Sequence, residues 1–341
     1  MRIAVDVGFG YTKAVNEAGK KVSFPSVVAP RAGGGIEIVG GNQDDYIVTL
    51  YSQGQRFAEY LVGDAALVSN GTRAWDDKFA ENRNLKTLIA VALALLGDGS
   101  PVSLSIGLPM VFYRHQKDEV KNELAELDMD VKIEGHQVRP MVAVKDVIIY
   151  PQGAGVYYAT VLTPNGGIND LDLINQSVGV IDIGHRTTDV MAMARGKKGL
   201  APREEMIGGF DYGMNMAVKQ IKAMADTVTS ANIPVHWVEQ ALNWNNGVLE
   251  YKGKAYNLKT YESQVYSQLA EQIAAGVKQK WGQETDRLSV ILIAGGGGKA
   301  LYPYLKAMLL TAELVKEPSY ANAQGFLAAQ SLSMRKTAQR S

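Results

Sequence analysis

Apolar and polar positions along the chain form one pattern that occurs twice. The opening stretch RIAVDVG has strand character, a glycine turn follows it, and TKAVNEAGKKVSFP continues as two further strands around a polar turn. The stretch SVGVIDIGHRTTDVMAMARG, which begins at Ser177, repeats the order of strand, glycine turn and strand. The pattern therefore predicts two hairpins with an aspartate before the glycine, Asp6 with Gly8 and Asp182 with Gly184.

Helical periodicity is clearest in two segments. NLKTLIAVALALLG has apolar residues all around a helix, which predicts a buried helix that stops at Gly97. Later, apolar residues recur at every fourth position and lay one stripe along a long helix: Val265, Leu269, Ile273, Val277 and Trp281. We also expect a strand in VSLSIGLPM, an exposed helix in RHQKDEVKNELAEL, and a strand that passes through a Pro-Gln-Gly turn into a helix in VAVKDVIIYPQGAGVYYATVL.

A polar segment from Thr163 to Gln176, rich in Asn, Asp and Gly, predicts a domain boundary. We expect an α/β fold of two domains. The first comprises residues 1–160 and is completed by 320–341, and the second comprises 161–319. Within the first, strand patterns broken by glycine at about 32–75 (GGGIEIVGG, YIVTLYSQGQ and EYLVGDAAL) predict a small inserted subdomain.

The composition restricts the chemistry. With 341 residues, 46% of them hydrophobic, the chain is long enough for two compact domains. The 35 Lys and Arg residues equal the 35 Asp and Glu residues, so the net charge gives no indication of nucleic-acid or membrane binding. The absence of cysteine and the scattering of the four histidines argue against a transition-metal site.

No targeting or membrane segment stands out in the sequence. The N-terminus enters a strand pattern without a basic and apolar leader, and no uncharged run approaches the roughly 18 residues that a membrane span needs. We therefore expect a soluble cytoplasmic protein with no direct membrane partner.

The first turn, DVGFGYTK, has the residues that a phosphate-binding hairpin needs. Glycine lets backbone N–H groups face an anion, a hydroxyl can donate to it, and a lysine offsets its charge. These groups come from Gly8, Gly10, Thr12 and Lys13. An ionised Asp6 repels phosphate, so its useful role is to hold Mg2+ through metal-bound water. The plain alternative is an aspartate that only initiates the turn.

The second turn, DIGHRTTDV, strengthens this interpretation because it repeats the acid, the glycine and the hydroxyls. We expect Gly184 and Thr187 to donate to phosphate. Asp182 would hold waters of Mg2+, and Asp189 would orient water or the metal. His185 also lies in the turn, but a lone turn histidine is more often solvated, so we do not assign it as a base.

Two further stretches are rich in glycine. IAGGGGKALYP has four consecutive glycines after a buried strand, and their entropic cost favours a backbone that must lie against a flat ring or a ribose. The alternative is a mobile loop. MIGGFDYGMN has a glycine pair before a helix, where N–H groups could meet phosphate or ribose.

The order of these motifs resembles the superfamily of actin, the heat-shock chaperones and the sugar kinases across almost the whole chain. Within it, the segments FPSVVAP, LVGDAA, GLP and DIGHRTTDV resemble the ParM-like plasmid-segregation actins and the archaeal actin-like proteins. The resemblance implies the actin-like ATPase fold, with two similar α/β domains around a nucleotide cleft. It implies ATP or ADP and Mg2+ as ligands, and GTP stays open.

The resemblance also implies roles for single residues. Asp6, Asp182 and Gln152 would be catalytic, with Gln152 orienting the attacking water because a neutral amide is not a strong base. The alternative for Gln152 is an ordinary turn residue. Asp6, Asp182 and Asp189 would hold Mg2+ through water. The implied nucleotide-binding residues are Gly8, Phe9, Gly10, Tyr11, Thr12 and Lys13, then Gly184, His185, Arg186, Thr187 and Thr188, then Gly208, Gly209 and Asp211, and finally Gly295, Gly296, Gly297, Gly298 and Lys299.

The function that the resemblance implies is a nucleotide triphosphatase that polymerises head to tail with ATP or GTP and Mg2+. Hydrolysis would drive disassembly, in the service of plasmid DNA segregation, with further copies of the chain and a DNA-binding adaptor as partners. A small-molecule kinase or a non-polymerising regulatory ATPase is the alternative. A kinase needs an acid near its acceptor hydroxyl, and the connecting turn offers Gln152 instead. A chaperone would need a substrate-binding domain, for which we expect no room after the last predicted helix.

Overall fold

The computed structural model describes residues 1–31, 45–52, 55–69, 71–73, 78–79, 81–136, 142–196 and 199–338. Over these residues the chain is a mixed α/β structure. The predicted strand GGGIEIVGG, which is the first part of the expected insertion at 32–75, lies outside the described residues.

The strands are numbered in chain order. They are β1 Arg2–Val7, β2 Tyr11–Asn16, β3 Lys21–Pro25, β4 Val27–Pro30, β5 Asp45–Ser52, β6 Gln55–Gly63, β7 Thr72–Arg73, β8 Val102–Leu108, β9 Asp128–Ile133, β10 Val142–Pro151, β11 Val178–Ile183, β12 Thr188–Gly196, β13 Gly199–Pro202, β14 Gly208–Phe210, β15 Val248–Tyr251, β16 Lys254–Asn257, β17 Val290–Ala294 and β18 Ala312–Leu314.

The helices are numbered in the same way. They are α1 Asp64–Val68, α2 Arg83–Leu96, α3 Met110–Ala125, α4 Ala154–Val161, α5 Met214–Thr229, α6 Val235–Trp244, α7 Glu262–Trp281, α8 Gly298–Met308 and α9 Ala321–Ala338.

Met1–Asn175 and Val315–Ser341 form one compact unit. Over its described residues the sheet order is β3-β2-β1-β8-β10-β9-β5-β6-β4-β7. The predicted meander is confirmed, because β1, β2 and β3 pair antiparallel in sequence. On its other side β1 pairs parallel with β8, which in turn pairs parallel with β10. The strands of the insertion continue the same sheet because β5 pairs with β9.

Strand β1 is buried on both faces, which explains its almost continuous apolar sequence. Ile3 packs in a core that includes Leu88 of α2. Ala4 points to the opposite face and packs in a cluster with Phe326 of α9. Asp6 shares the face of Ala4, so strand alternation alone directs its carboxyl toward the side that α9 covers.

Helix α2 begins and ends at residues with clear capping roles. The side chain of Asn82 accepts hydrogen bonds from the backbone N–H groups of Asn84 and Leu85. At the other end the N–H of Gly97 donates to the carbonyl of Leu93 at 2.8 Å. The predicted stop at Gly97 is therefore confirmed.

Gln176–Leu314 form the second compact unit. Over its described residues the main sheet has the order β13-β12-β11-β17-β18, with β14 paired to β12. Strands β11, β17 and β18 are parallel, so their carboxyl ends meet at one edge of the sheet. The predicted stripe of α7 is confirmed, since all its members are buried in the core of this unit: Val265, Leu269, Ile273, Val277 and Trp281.

Candidate functional site

The first glycine turn joins β1 to β2 and is closed by one backbone hydrogen bond. The N–H of Gly8 donates to the carbonyl of Tyr11 at 3.2 Å, and the register pairs Asp6 with Lys13. A Cβ atom on Gly8 would lie 3.7 Å from the Nζ atom of Lys13. The Lys13 ammonium therefore lies beside the backbone of the turn, where it can offset the charge of a bound anion.

An arginine that the sequence analysis missed donates hydrogen bonds to the backbone of this turn. The Nη1 atom of Arg73, in β7, donates to the carbonyl of Gly10 at 3.1 Å and lies 3.5 Å from that of Phe9. Both carbonyls of the turn therefore accept from the Arg73 guanidinium. No sequence signal identified Arg73, because β7 has only two residues and pairs with the distant strand β4.

The hydroxyl of Thr12 does not have the expected role. Thr12 is fully buried, and its Oγ1 atom lies 2.9 Å from the hydroxyl of Ser26 in a buried hydrogen bond. The N–H of Ser26 also donates to the carbonyl of Gly10 at 2.9 Å. Thr12 and Ser26 therefore fix the base of the turn, and the expectation that the Thr12 hydroxyl donates to phosphate is corrected.

Asp6 lies in a buried polar cluster below this turn. Its side chain is 6% exposed, and its Oδ1 atom accepts a hydrogen bond of 2.9 Å from Nε2 of Gln152. The side chain of Asn322, from α9, forms a further hydrogen bond to the same carboxyl. Burial raises the pKa of Asp6 above its ordinary value of 3.8, while Lys13 and the two amides act in the opposite direction.

Gln152 follows β10 and precedes α4, as the Pro-Gln-Gly turn predicts. Its backbone N–H donates to the carbonyl of Leu108 at 2.8 Å, which ties the turn to the end of β8. The next residue, Gly153, has φ of +82°, a conformation that glycine adopts without strain. The side chain of Gln152 is 8% exposed and belongs to the Asp6 cluster.

The second glycine turn, in the other unit, repeats the first. The N–H of Gly184 donates to the carbonyl of Thr187 at 2.9 Å, and the register pairs Asp182 with Asp189. Asp182 thus has the place in its hairpin that Asp6 has in the first. Thr188, rather than Thr187, corresponds to Thr12, because each threonine pairs with the last residue of the preceding strand.

The two threonine hydroxyls of the second turn differ in burial, and the buried one resembles Thr12. Thr188 is fully buried and its Oγ1 atom donates to the carbonyl of Tyr212 at 2.6 Å, so it supports the turn from below. Thr187 is half-buried, and its Oγ1 atom lies 3.4 Å from Oδ2 of Asp189. Of the two threonines, Thr187 is the one whose hydroxyl stays at the turn itself.

His185 is not a solvated turn residue. Its side chain is 16% exposed, and its Nε2 atom lies 3.7 Å from Oε1 of Glu239 in α6. The carbonyls of Gly184 and His185 accept hydrogen bonds from the N–H groups of Met214 and Asn215 at the start of α5. The first N–H groups of this helix therefore fix the turn, which leaves them unable to serve an anion as expected.

The glycine pair Gly208 and Gly209 forms the strand β14, which pairs with β12 next to Asp189. A Cβ on Gly208 would lie 2.4 Å from Cε of Lys280, and a Cβ on Gly209 would lie 3.0 Å from Oδ1 of Asp189. The contact at Gly208 is with the end of a flexible side chain, which can move, whereas the contact at Gly209 is with the Asp189 carboxyl. Both glycines lie in a strand and do not form a helix N-terminus. Asp211 follows on the surface and is exposed.

The four consecutive glycines, Gly295 to Gly298, lie in different surroundings. Gly295 has φ of +84°, and a Cβ there would lie 2.3 Å from the carbonyl of Ile183 and 2.5 Å from Oδ1 of Asp182. Gly297 packs against Met214. Gly298 and Lys299 begin α8, with Lys299 exposed. Gly296 alone is exposed with nothing within 4 Å of its Cβ position, so it gives the loop an open backbone surface.

The acids suit a hydrated metal ion better than a directly ligated one. Among the described residues no group of three or more His, Asp or Glu side chains is placed to hold a metal. Asp182 and Asp189 face each other across β11 and β12, and each is 9% exposed. Such a pair fits Mg2+ that keeps most of its waters and takes its other ligands from substrate phosphates.

Two families match this chain in succession. Residues 4–155 match the family described as actin like proteins, N terminal domain, and residues 180–307 match the family described as archaeal actin homologue MreB-like, C-terminal. The chain belongs to the actin-like proteins. A curated archaeal actin homolog of Thermoplasma acidophilum is 26% identical over 97% of this chain and 99% of its own length.

Solved structures of actin-like proteins share the fold. A ParM from a 15-stranded filament of Clostridium botulinum has 24% identity and a TM-score of 0.80 over 96% of this chain and 99% of its own. An archaeal actin homolog solved in complex with ADP has 23% identity and a TM-score of 0.77 over 100% of this chain and 99% of its own. The predicted actin-like fold is confirmed. Within the described residues, none of the helices is both long and apolar enough to cross a membrane.

Proposed function

We propose that the protein is a nucleotide triphosphatase that polymerises on binding ATP or GTP with Mg2+ and disassembles after hydrolysis. We further propose that its filaments move plasmid DNA through a DNA-binding adaptor. The observation that carries the proposal is the repeated turn: Gly8 to Tyr11 and Gly184 to Thr187 are closed by the same hydrogen bond, each after an aspartate at the same register position.

Each of the two turns is proposed to bind nucleotide phosphate. In the first, the backbone of the Gly8 turn and the ammonium of Lys13 supply the positive side of the interaction. In the second, the turn backbone and the hydroxyl of Thr187 have the equivalent role. The open backbone at Gly296 is proposed to lie against the nucleoside.

Gln152 is proposed to orient the attacking water. Its Nε2 group donates to Asp6, so its Oε1 atom is the one that can accept a hydrogen bond from a water. An amide cannot take up the proton, so this residue contributes by positioning. Mg2+ bound to the nucleotide would supply charge neutralisation at the transferred phosphate. Asp182 and Asp189 are proposed to hold its waters at the second turn, and Asp6 is proposed for the same role at the first.

The proposed polymerisation rests on the similarity to an actin-like protein that forms filaments. The structural neighbour from Clostridium botulinum is a filament, and the likeness covers nearly the whole of both chains. When identical subunits contact each other through two different surfaces, each subunit is rotated relative to the one before it. Unless these rotations add up to a closed ring, the contact builds an open filament. The present chain is proposed to join head to tail in this way.

Phosphate release tests the proposed activity. Purified protein should release phosphate from ATP or GTP in the presence of Mg2+, and Asp182→Ala should abolish the release while circular dichroism stays unchanged. Asp286→Ala is the matched control, because Asp286 is an exposed acid of the same unit. Hydrolysis at the wild-type rate in Asp182→Ala would contradict the assignment, and phosphorylation of a small acceptor instead of water would replace it with a kinase.

A further inference from the structure

Asn322 forms two buried hydrogen bonds to two different parts of the Asp6 cluster. It lies in the first turn of α9 and is 5% exposed. Its Oδ1 atom accepts a hydrogen bond of 3.0 Å from the backbone N–H of Gly153, the residue after Gln152. Its side chain also bonds to the carboxyl of Asp6. Since Oδ1 is the acceptor for Gly153, Nδ2 is the donor to Asp6.

The backbone around Asn322 is closely packed. Helices α4 and α9 touch through glycines: a Cβ on Gly155 would lie 2.7 Å from Cα of Asn322, and a Cβ on Gly325 would lie 1.7 Å from the carbonyl oxygen of Gly155. Helix α9 is therefore in direct backbone contact with α4, the helix that begins two residues after Gln152. The amide of Asn322 is bonded to both partners in this arrangement.

The same two bonds determine where the side chain of Gln152 can lie. Asn322 holds the backbone at Gly153 and the carboxyl of Asp6, and Asp6 in turn accepts from Nε2 of Gln152. Asn322 thus holds the backbone next to Gln152, at Gly153, and also the Asp6 carboxyl that binds the Gln152 amide. The orientation that presents Oε1 of Gln152 as an acceptor depends on this arrangement.

We propose that Asn322 is a positioning residue for nucleotide hydrolysis, which fixes the Gly153 backbone with its oxygen and the Asp6 carboxyl with its nitrogen. The proposal rests on the proposed function. Asn322 touches neither water nor nucleotide in this role. It acts through Gln152 and Asp6, and it keeps the water-orienting amide in its productive orientation.

Two substitutions separate the two hydrogen bonds. Asn322→Asp has the same shape and keeps an acceptor for the N–H of Gly153, but it replaces the donor to Asp6 with an acceptor. Asn322→Ala removes both bonds. Gln324→Ala is the matched control, because Gln324 is an amide of the same helix whose side chain bonds to Glu317 instead. Circular dichroism and thermal unfolding establish that each variant folds.

Nuclear magnetic resonance gives a measurement that does not depend on activity. In the nucleotide-free protein, the N–H of Gly153 should exchange slowly in wild type, Asn322→Asp and Gln324→Ala, and faster in Asn322→Ala. Slow exchange in Asn322→Ala would show that Asn322 does not hold the turn, and it would overturn the proposal.

Steady-state hydrolysis and nucleotide affinity give the second measurement. We expect both Asn322 variants to lower kcat by about ten- to hundredfold, the range for a lost hydrogen bond to a charged group, with the nucleotide Kd within about threefold of wild type. Gln324→Ala should match wild type in both. A purely structural role at Gly153 predicts that Asn322→Asp keeps the wild-type kcat, and that result would overturn the proposal.

Failure of this inference is distinguishable from failure of the proposed function. If the wild-type protein hydrolyses neither ATP nor GTP, the proposed function fails and the positioning role fails with it. If the wild type hydrolyses nucleotide and Asn322→Asp does so at the same rate, only the positioning role fails. A loss of affinity equal to the loss of kcat would also contradict it, because positioning of the water does not contribute to nucleotide binding.

Discussion

Gln152 and Asp6 are joined by a buried hydrogen bond of 2.9 Å although 146 positions separate them in the chain. The bond links the first glycine turn to the connecting turn before α4, and its donor is the amide nitrogen of Gln152. The amide oxygen is thereby assigned to the opposite side, where it can accept from a water.

Substitution of Gln152 should slow hydrolysis and leave nucleotide binding intact. Gln152→Ala removes the group that orients water, and positioning effects of this kind are worth about a hundredfold in rate. Filaments of the variant should therefore persist longer after nucleotide is added. Phosphate release and nucleotide titration measure the two quantities separately, and an unchanged release rate would return Gln152 to the role of a turn residue.

The buried carboxyl of Asp6 should make folding depend on pH. Its pKa is raised by burial, so the folded chain binds this proton more tightly than the unfolded chain, whose value is near 3.8. The contribution of Asp6 to stability is therefore present at low pH and is lost as the pH rises from about 3.8 through the raised folded value.

Asp6→Asn tests this dependence in protein free of nucleotide and metal. The advantage of the variant over wild type in free energy of unfolding should increase as the pH rises from 4 to 7, since the amide has no proton to lose. Urea unfolding across a pH series measures the difference. Parallel curves for the two proteins would show that Asp6 has its ordinary pKa in the folded state.

Neighbouring glycines of the 295–298 loop should respond differently to alanine. Gly295→Ala places a side chain at positive φ and 2.3 Å from the carbonyl of Ile183, which should lower the free energy of unfolding by about 2–4 kcal/mol. Gly296→Ala should leave stability unchanged, because its Cβ meets nothing within 4 Å. If the loop backbone lies against the nucleoside, Gly296→Ala should weaken nucleotide binding all the same. Thermal unfolding and nucleotide titration of both variants check this pair, and equal stability losses would contradict it.

Arg73 should be needed for a well-ordered first turn. Arg73→Ala removes the donor to the carbonyls of Gly10 and Phe9, and we expect nucleotide affinity to fall by roughly tenfold with the fold intact. Arg56→Ala is the control, since Arg56 is exposed and pairs with Glu59 of its own strand. Equal affinities of the two variants would show that the turn keeps its shape without Arg73.

Local patterns predicted the elements of the fold well. The hairpins, the stop at Gly97 and the stripe along α7 each follow from residues close together in sequence, and the structure confirms them. The assignment of hydroxyls was less successful, because it depends on strand register. The register places Thr12 and Thr188 at equivalent buried positions, and a sequence pattern alone does not distinguish Thr187 from Thr188.

Long-range contacts account for what the sequence did not predict. Asn322 reaches Gly153 across 169 positions, and Arg73 reaches Gly10 across 63. Neither residue lies in a recognisable motif. The four consecutive glycines are a different case: the sequence analysis attributes their entropic cost to a ligand, whereas Gly295 is required by its positive φ and its contact with the backbone of Ile183 in the protein itself.

Sedimentation and light scattering of the full chain test the central claim most directly. With ATP or GTP and Mg2+ the protein should assemble above a critical concentration, and it should remain unassembled with ADP or after chelation of the metal. No sugar or other acceptor should be required. A chain that stays monomeric with either triphosphate and Mg2+ at every concentration at which it is soluble, while it phosphorylates a small acceptor, would contradict the account.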